Sequence, residues 1–236
     1  MKLPSIFGKK KEERVISPKF LKKGLLKEPG AALDAVKKEM ERLAGLCSEM
    51  VGGIMDMFRR KDPDFLHGIE DSYEKVEALY GIVHEYLTRL FQSQKNCAEV
   101  ERETLYLSVL NELKQISSVV YRDIFPLTVE FTESDLFFSP EGWKQMNDYH
   151  FRIYSGVKKA IEAFNGEDTK MAKAIADEKM EVVLLGKRNI KLHIDRLHRG
   201  LKESLETSAI HLDLISQMRR INSFSTNIAY MIMGGD

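Results

Sequence analysis

Cysteine is scarce in this sequence, and long apolar runs are absent from it. Cys47 and Cys97 are the two cysteines among 236 residues, and they provide neither a disulfide framework nor the paired spacing of a zinc site. Reduced thiols in a cytoplasmic protein are the simplest interpretation. No segment has the roughly 18 uncharged apolar residues that a membrane span needs, and MKLPSIFGKKK lacks the apolar region of a secretory signal. We therefore expect a soluble, cytoplasmic protein.

The chain also has no excess of one charge. Its 36 basic and 36 acidic residues balance, so nothing global favours nucleic acid as a partner. The distribution is uneven, however, because residues 1–30 contain nine Lys or Arg and three Glu. We interpret residues 1–17 as a basic, flexible arm. A solvated tail is the simpler role for it, and attraction to the anionic inner membrane or to an acidic partner is the alternative.

Signatures of catalysis and of cofactor binding are missing as well. The sequence has no glycine-rich phosphate loop, no nucleophile elbow and no His-Glu-x-x-His motif. None of the six histidines forms a pair at the spacing i, i+4. We therefore predict no enzyme activity and no cofactor.

A helical repeat of apolar residues fills most of the chain from Ala31 onward. Steps of three and four residues separate the apolar positions, as in helices that pack lengthwise on one another. Six helices are predicted, with a linker at 126–138, where PLTVEFTESDLFF breaks the pattern. Asp62, Asn96 and Ser139 are predicted N-caps. The predicted bounds are about 31–57, 63–90, 98–125, 140–164, 168–199 and 202–233.

The apolar pattern of the fifth helix contains two polar residues. Glu178 is either a metal ligand or, more simply, a carboxylate paired with an Arg or Lys across the bundle. Asn189 interrupts the same stripe, and fixing the register of the helices is one role for it.

The two halves of the chain match each other. At an offset of 106 residues, Phe58 corresponds to Phe164 and Ile69 to Ile175, and at an offset of 105 Ile116 corresponds to Ile221. This indicates a tandem duplication of a three-helix unit. The predicted fold is all-α, with six long helices forming a tandem pair of antiparallel three-helix bundles. The first repeat covers 18–125 and the second covers 139–236.

The last helix carries a resemblance to a known family. HIDRLHRGLKESLETSAIHLDLISQMRRINSFSTNIAYMI, residues 193–232, resembles the final helical hairpin of the PhoU family of phosphate-uptake regulators. The variant it is most similar to is the PhoU-like cytoplasmic region of bacterial sodium/phosphate cotransporters. The resemblance covers about residues 18–233. It implies a non-enzymatic regulator that contacts a phosphate transporter or a phosphate-sensing signalling protein, with a homodimer as an open alternative.

The family's metal motif is not preserved. The family carries an acidic residue followed four positions later by Asp on the third helix of each repeat. Those positions fall on Lys114 and Ser118 in the first repeat and on Arg219 and Ser223 in the second. Because each site loses two carboxylates and gains a cation, a multivalent metal is disfavoured and no metal site is predicted.

The residues that replace the motif suggest an anion or polar site. An anion such as phosphate would bind against Arg219, Arg220, Asn222 and Ser223. The simpler alternative is that Arg219 pairs with Glu178 or Glu181 of the fifth helix. Asn227 matches the family's Asn and is expected to cap a helix or to bond between helices.

Two other functions stay open. One is a metal-binding helical bundle, and the other is a helical adaptor that has no remaining phosphate role.

Overall fold

Helices account for all the regular secondary structure in the part of the chain that the structure describes, residues 16–92 and 96–234 of a computed structural model. The predicted all-α class is therefore confirmed. A 3-10 turn, Lys23–Lys27, leads into the first helix. The α-helices are α1 Pro29–Gly52, α2 Ile54–Arg60, α3 Pro63–Phe91, α4 Cys97–Ser118, α5 Phe125–Glu133, α6 Pro140–Gly166, α7 Thr169–His198, α8 Lys202–Glu206 and α9 Ser208–Ile232.

Two three-helix bundles pack side by side. Helices α1, α3 and α4 contact one another, and so do α6, α7 and α9. The two bundles meet through α4 against α9 and through α1 against α6. Helices α3 and α7 therefore lie on the outside of the molecule, while α4 and α9 lie near its centre.

The caps that the sequence predicts are formed. The Asp62 side chain accepts a hydrogen bond from the Asp64 amide at 3.1 Å, and Ser139 accepts one from the Gly142 amide at 3.2 Å. Asn96 and Glu99 make a reciprocal capping box. Each cap satisfies an amide that the first helical turn leaves free, which explains why these helices begin where they do.

The predicted linker at 126–138 is largely wrong as a description of secondary structure. The third helix continues through a π-helical segment, Val119–Ile124, into α5, and only residues 134–139 are outside a helix. Pro126 breaks the apolar pattern, yet the wider π turn just before it accommodates a ring that would clash with a regular α-helix. Phe131 is buried and meets the Phe58 ring edge-on, with the ring centroids 5.3 Å apart. The boundaries of the two repeats stay a prediction.

The segment before α1 is held against the first bundle by Glu39. This carboxylate is fully buried and accepts hydrogen bonds from the backbone amides of Lys19 and Phe20, the latter at 2.7 Å. Tyr86 donates its hydroxyl to the Lys22 carbonyl at 3.0 Å. The chain that precedes residue 16 therefore starts from a fixed point on the first bundle.

One end of the second bundle encloses an arginine. Arg196 is 1% exposed and lies beside the stacked rings of His193 and His211, whose centroids are 4.4 Å apart. One terminal nitrogen of the guanidinium lies 3.4 Å from Nδ1 of His193 and 3.4 Å from Nε2 of His211. Because a guanidinium only donates hydrogen bonds, both nitrogens must accept, and both imidazoles must be neutral.

This arrangement opposes protonation of the two histidines. Burial, followed by electrostatic interaction with His193 and Arg196, lowers the pKa of His211 to about 3, and burial and Arg196 lower the pKa of His193. The other charges near the cluster are Glu141 of α6 and Arg199 at the end of α7, which pair with each other at 2.7 Å. Protonating either ring would remove an acceptor and place a second cation against Arg196.

The stability of the second bundle should therefore fall in acid. Since the folded pKa of His211 lies below its unfolded value near 6.5, stability is complete above that value and is lost as the pH falls below it. Each such histidine lowers the free energy of unfolding by about 1.4 kcal/mol per pH unit.

His211→Gln keeps an acceptor near the position of Nε2 but cannot be protonated. We expect this variant to lose about 2 kcal/mol less than the parent between pH 6.5 and pH 5, measured by urea denaturation. If the two proteins lost the same free energy of unfolding, protonation of His211 would not contribute to the acid sensitivity.

Candidate functional site

Lys114, which falls on the acidic position of the family's motif in the first repeat, has its charge neutralised within the bundle. Lys114 Nζ lies 3.5 Å from Glu77 Oε2 and 4.2 Å from the centre of the Tyr80 ring. Tyr80 in turn donates its hydroxyl to Asn111 at 2.8 Å. Ser118, one turn further on, is half-buried. A carboxylate and an aromatic face therefore already compensate the positive charge at this position.

The equivalent position of the second repeat lacks this compensation. At the offset of 106 residues, Val183 and Gly186 replace Glu77 and Tyr80. Arg219 is exposed, and no carboxylate of residues 16–92 and 96–234 lies within ion-pair distance of it. The Ser223 hydroxyl donates to the Arg219 carbonyl at 3.2 Å. Arg219 thus presents a positive charge to the outside of the second bundle.

The pairing of Arg219 with the fifth helix, the simpler alternative drawn from the sequence, is wrong. Glu178 bonds to Lys159 of α6 at 2.9 Å, and Glu181 bonds to Arg152 of α6 at 2.9 Å. The prediction that Glu178 pairs with a base across the bundle is confirmed by the first of these contacts.

The remaining residues of the predicted site point elsewhere. Arg220 bonds to Asp123 at 2.5 Å and to Gln217 at 2.6 Å. Asn222 is 5% exposed and its Nδ2 atom has no hydrogen-bond partner. Asn227 donates to Glu112 of α4 at 3.4 Å, which is the interhelical role expected for it. Of the five residues, Arg219 and Ser223 alone share the face on which the sequence predicts an anion.

A tyrosine fills the space that Gly186, which has no side chain, leaves open. Tyr149 of α6 reaches over Gly186, where an added Cβ would lie 2.7 Å from its hydroxyl oxygen. That hydroxyl is buried without a hydrogen-bond partner. Burial raises the pKa of Tyr149 to about 12, and the positive charge of Arg219 opposes the rise. Only a glycine at 186 leaves room for this ring.

The described residues contain no group of three or more His, Cys, Asp or Glu side chains that could hold a metal ion. Over the same residues, no helix is long and apolar enough to cross a membrane.

The structure shows one polar feature that the sequence did not reveal, a groove between α6 and α7. Its volume is about 400 Å³. The sequence pointed to Asn189 as an interruption of the apolar stripe that Leu185 and Leu192 continue on either side of it. The remaining lining residues belong to α6, apart from Arg188 of α7, and the packing of these two helices brings them together. With Asn189, the residues that line the groove are Glu141, Lys144, Gln145, Asp148, Leu185, Arg188 and Leu192.

Paired three-helix bundles whose third helices meet at the centre define the class of this protein, and comparison with known proteins identifies the family. The chain belongs to the PhoU domain family, whose model matches residues 40–121 and 148–232. The family predicted from the last helix is thereby confirmed.

Two solved structures share the fold at 15% sequence identity. The crystal structure of PhoU from Pseudomonas aeruginosa superposes with a TM-score of 0.79 over 86% of this chain and 96% of that one. The phosphate transport system regulatory protein PhoU from Streptococcus pneumoniae gives 0.75 over 87% and 95%.

The curated relatives are longer proteins. The putative inorganic phosphate export proteins YjbB of Salmonella typhimurium and Escherichia coli K12 are each 25% identical to this chain over 218 residues. The match covers 92% of this chain and 40% of each relative, so the chain spans well under half of their length.

The contact between Tyr149 and Gly186 can be tested by a double-mutant cycle. Gly186→Ala places a methyl group against the tyrosine ring, and we expect it to destabilise the protein by about 1–2 kcal/mol. Tyr149→Phe removes an unpartnered hydroxyl and should be nearly neutral by itself. The cost of Gly186→Ala should be smaller in the Tyr149→Phe background, measured by thermal unfolding. Additive effects would contradict the contact.

Proposed function

We propose that this protein is a non-enzymatic, PhoU-like regulator of phosphate uptake and phosphate homeostasis. It acts in the cytoplasm through contact with a phosphate transporter or a phosphate-sensing signalling protein. Its membership of the PhoU domain family supports this proposal, and so do the names of its longer relatives, which are putative inorganic phosphate export proteins. The observation that carries it furthest is the exposed, uncompensated charge of Arg219 on α9.

Recognition takes place on a helix face in this proposal. The guanidinium of Arg219 offers a planar set of donors that matches a carboxylate of the partner. Lys114 cannot serve in the same way, because Glu77 already pairs with it. The second bundle therefore makes the charged contact, while the equivalent residue of the first bundle, Lys114, is already paired.

Charge reversal at Arg219 tests the contact. The tagged parent should capture a phosphate transporter or phosphate sensor from cells, identified by mass spectrometry, in a manner that differs between phosphate-replete and phosphate-starved growth. Arg219→Glu should abolish this capture, because two carboxylates would then face each other. Lys173→Glu, an equal charge change at an exposed position near the start of α7, is the matched control.

Two results would contradict the proposal. One is undiminished capture by Arg219→Glu. The other is the absence of any phosphate transporter or sensor among the proteins that the parent captures, which would favour an adaptor without a phosphate role. The metal-binding alternative is disfavoured by Lys114 and Arg219, which occupy the family's acidic positions.

The basic arm supplies a second contact in this proposal, with the anionic surface of the inner membrane. Residues 1–15 lie outside the described residues, and Ile16 packs against the core. Four exposed lysines continue the positive charge where the chain joins the first bundle: Lys19, Lys22, Lys23 and Lys27. Juxtaposed lysines of this kind each contribute about 1 kcal/mol to binding an anionic membrane.

Deleting residues 1–15 should release the protein from anionic vesicles. The full chain is expected to sediment with vesicles of phosphatidylcholine and phosphatidylglycerol at low salt, and not with phosphatidylcholine alone, because the attraction is electrostatic. The shortened chain, which keeps Ile16, its packing and the four lysines, should sediment much less than the full chain. Equal sedimentation of both proteins would rule out the arm as the membrane contact.

A further inference from the structure

The charged residues that line the groove between α6 and α7 are two acids, Glu141 and Asp148, and two bases, Lys144 and Arg188. Two of its ion pairs are internally balanced: Glu141 with Arg199 at 2.7 Å and Lys144 with Asp148 at 2.7 Å. Arg188 lines the groove and has no carboxylate within ion-pair distance among residues 16–92 and 96–234. Because Arg199, which does not line the groove, pairs with Glu141, the two carboxylates of the lining are neutralised and the charge of Arg188 is left without a partner.

A second uncompensated cation lies just behind the groove. Arg196 is 1% exposed, and its hydrogen-bond partners are all neutral: Gln145, Ser204, His193 and His211. Buried cations in proteins are normally paired with an anion, because an isolated charge is costly to remove from water. No carboxylate in the described part of the chain lies within ion-pair distance of Arg196, and Glu141, which acts on it from farther away, pairs with Arg199.

Gln145 connects the buried cation to the groove. Its Oε1 atom accepts a hydrogen bond from Arg196 at 2.5 Å, and its backbone carbonyl accepts one from the buried Asn189 at 3.4 Å. Since arginine only donates, the amide oxygen must face Arg196 and the amide nitrogen must face away from it. Gln145 lines the groove, and no acceptor in residues 16–92 or 96–234 bonds to this nitrogen. Arg196 thus fixes a donor that points outward.

We propose that the α6/α7 groove binds a tetrahedral oxyanion, namely inorganic phosphate, through the Gln145 amide nitrogen and the Arg188 guanidinium. Arg196 is the positioning residue, which orients Gln145 and supplies positive charge from behind. The choice of phosphate over other oxyanions rests on the proposed function, whereas the donors themselves require only an oxyanion. The site is separate from the Arg219 face, which serves partner contact.

Calorimetric titration with inorganic phosphate tests the site. The parent should bind one phosphate per chain, and sulfate should compete for it. Arg188→Gln should weaken binding about tenfold, the loss of one charge-assisted hydrogen bond. Lys187→Gln removes the same charge from the neighbouring exposed residue, which does not line the groove, and should bind as the parent does.

Gln145→Glu provides a second test, because it should change stability and phosphate binding in opposite directions. The new carboxylate would provide the counter-ion that Arg196 lacks, so the melting temperature should rise, while phosphate binding should disappear by repulsion. A purely structural role for Gln145 would not link these two effects. Arg219→Glu should leave phosphate binding unchanged, so failure of the partner contact and failure of the groove are distinguishable.

The proposal is overturned if the parent binds no phosphate, or if Arg188→Gln and Lys187→Gln weaken binding equally. It is also overturned if Gln145→Glu fails to raise the melting temperature. Binding of adenosine monophosphate without binding of phosphate would overturn the assignment to the free ion.

Discussion

The packing of α4 against α9 is the interaction on which the rest of the structure depends. Ile116 and Ile221, equivalent residues of the two repeats, are both fully buried, and Asn227 bonds across to Glu112. Because α9 also contacts α6 and α7, it exposes only a narrow strip of its surface. Arg219 and Arg220 are exposed on that strip, and Ser223 is half-buried there.

The two repeats share the packing of their third helices but differ in the residues around it. In the first repeat Glu77 and Tyr80 neutralise Lys114, and in the second Val183 and Gly186 leave Arg219 exposed while Tyr149 fills the space above the glycine. An internal repeat commonly keeps its core and loses symmetry at its surface. Here two positions that look alike in sequence, a base followed four residues later by serine, have different surroundings: Lys114 is paired and Arg219 is exposed.

Local features were predictable from the sequence, and long-range ones were not. The caps at Asp62, Asn96 and Ser139 depend on neighbouring residues, so their chemistry is visible in the chain itself. The family followed from a pattern spread over a whole hairpin. By contrast, Pro126 suggested a linker because the π turn that accommodates it has no sequence signal. The contacts of the predicted polar site, Arg219, Arg220, Asn222, Ser223 and Asn227, had no sequence signal either, since Arg220 bonds to Asp123 and Asn227 to Glu112 from distant parts of the chain. The burial of Arg196 had no sequence signal either, because residues of α6, α8 and α9 enclose it.

We propose that the Arg219 face of α9 contacts an anionic partner and that neither third helix holds a multivalent metal. The most direct measurement is the metal content of the purified protein after incubation with ferric, zinc and manganese ions and removal of the excess by gel filtration. Elemental analysis should find far less than one metal ion per chain, because a cation replaces two carboxylates at each family position. One or more ions bound per chain would contradict the account.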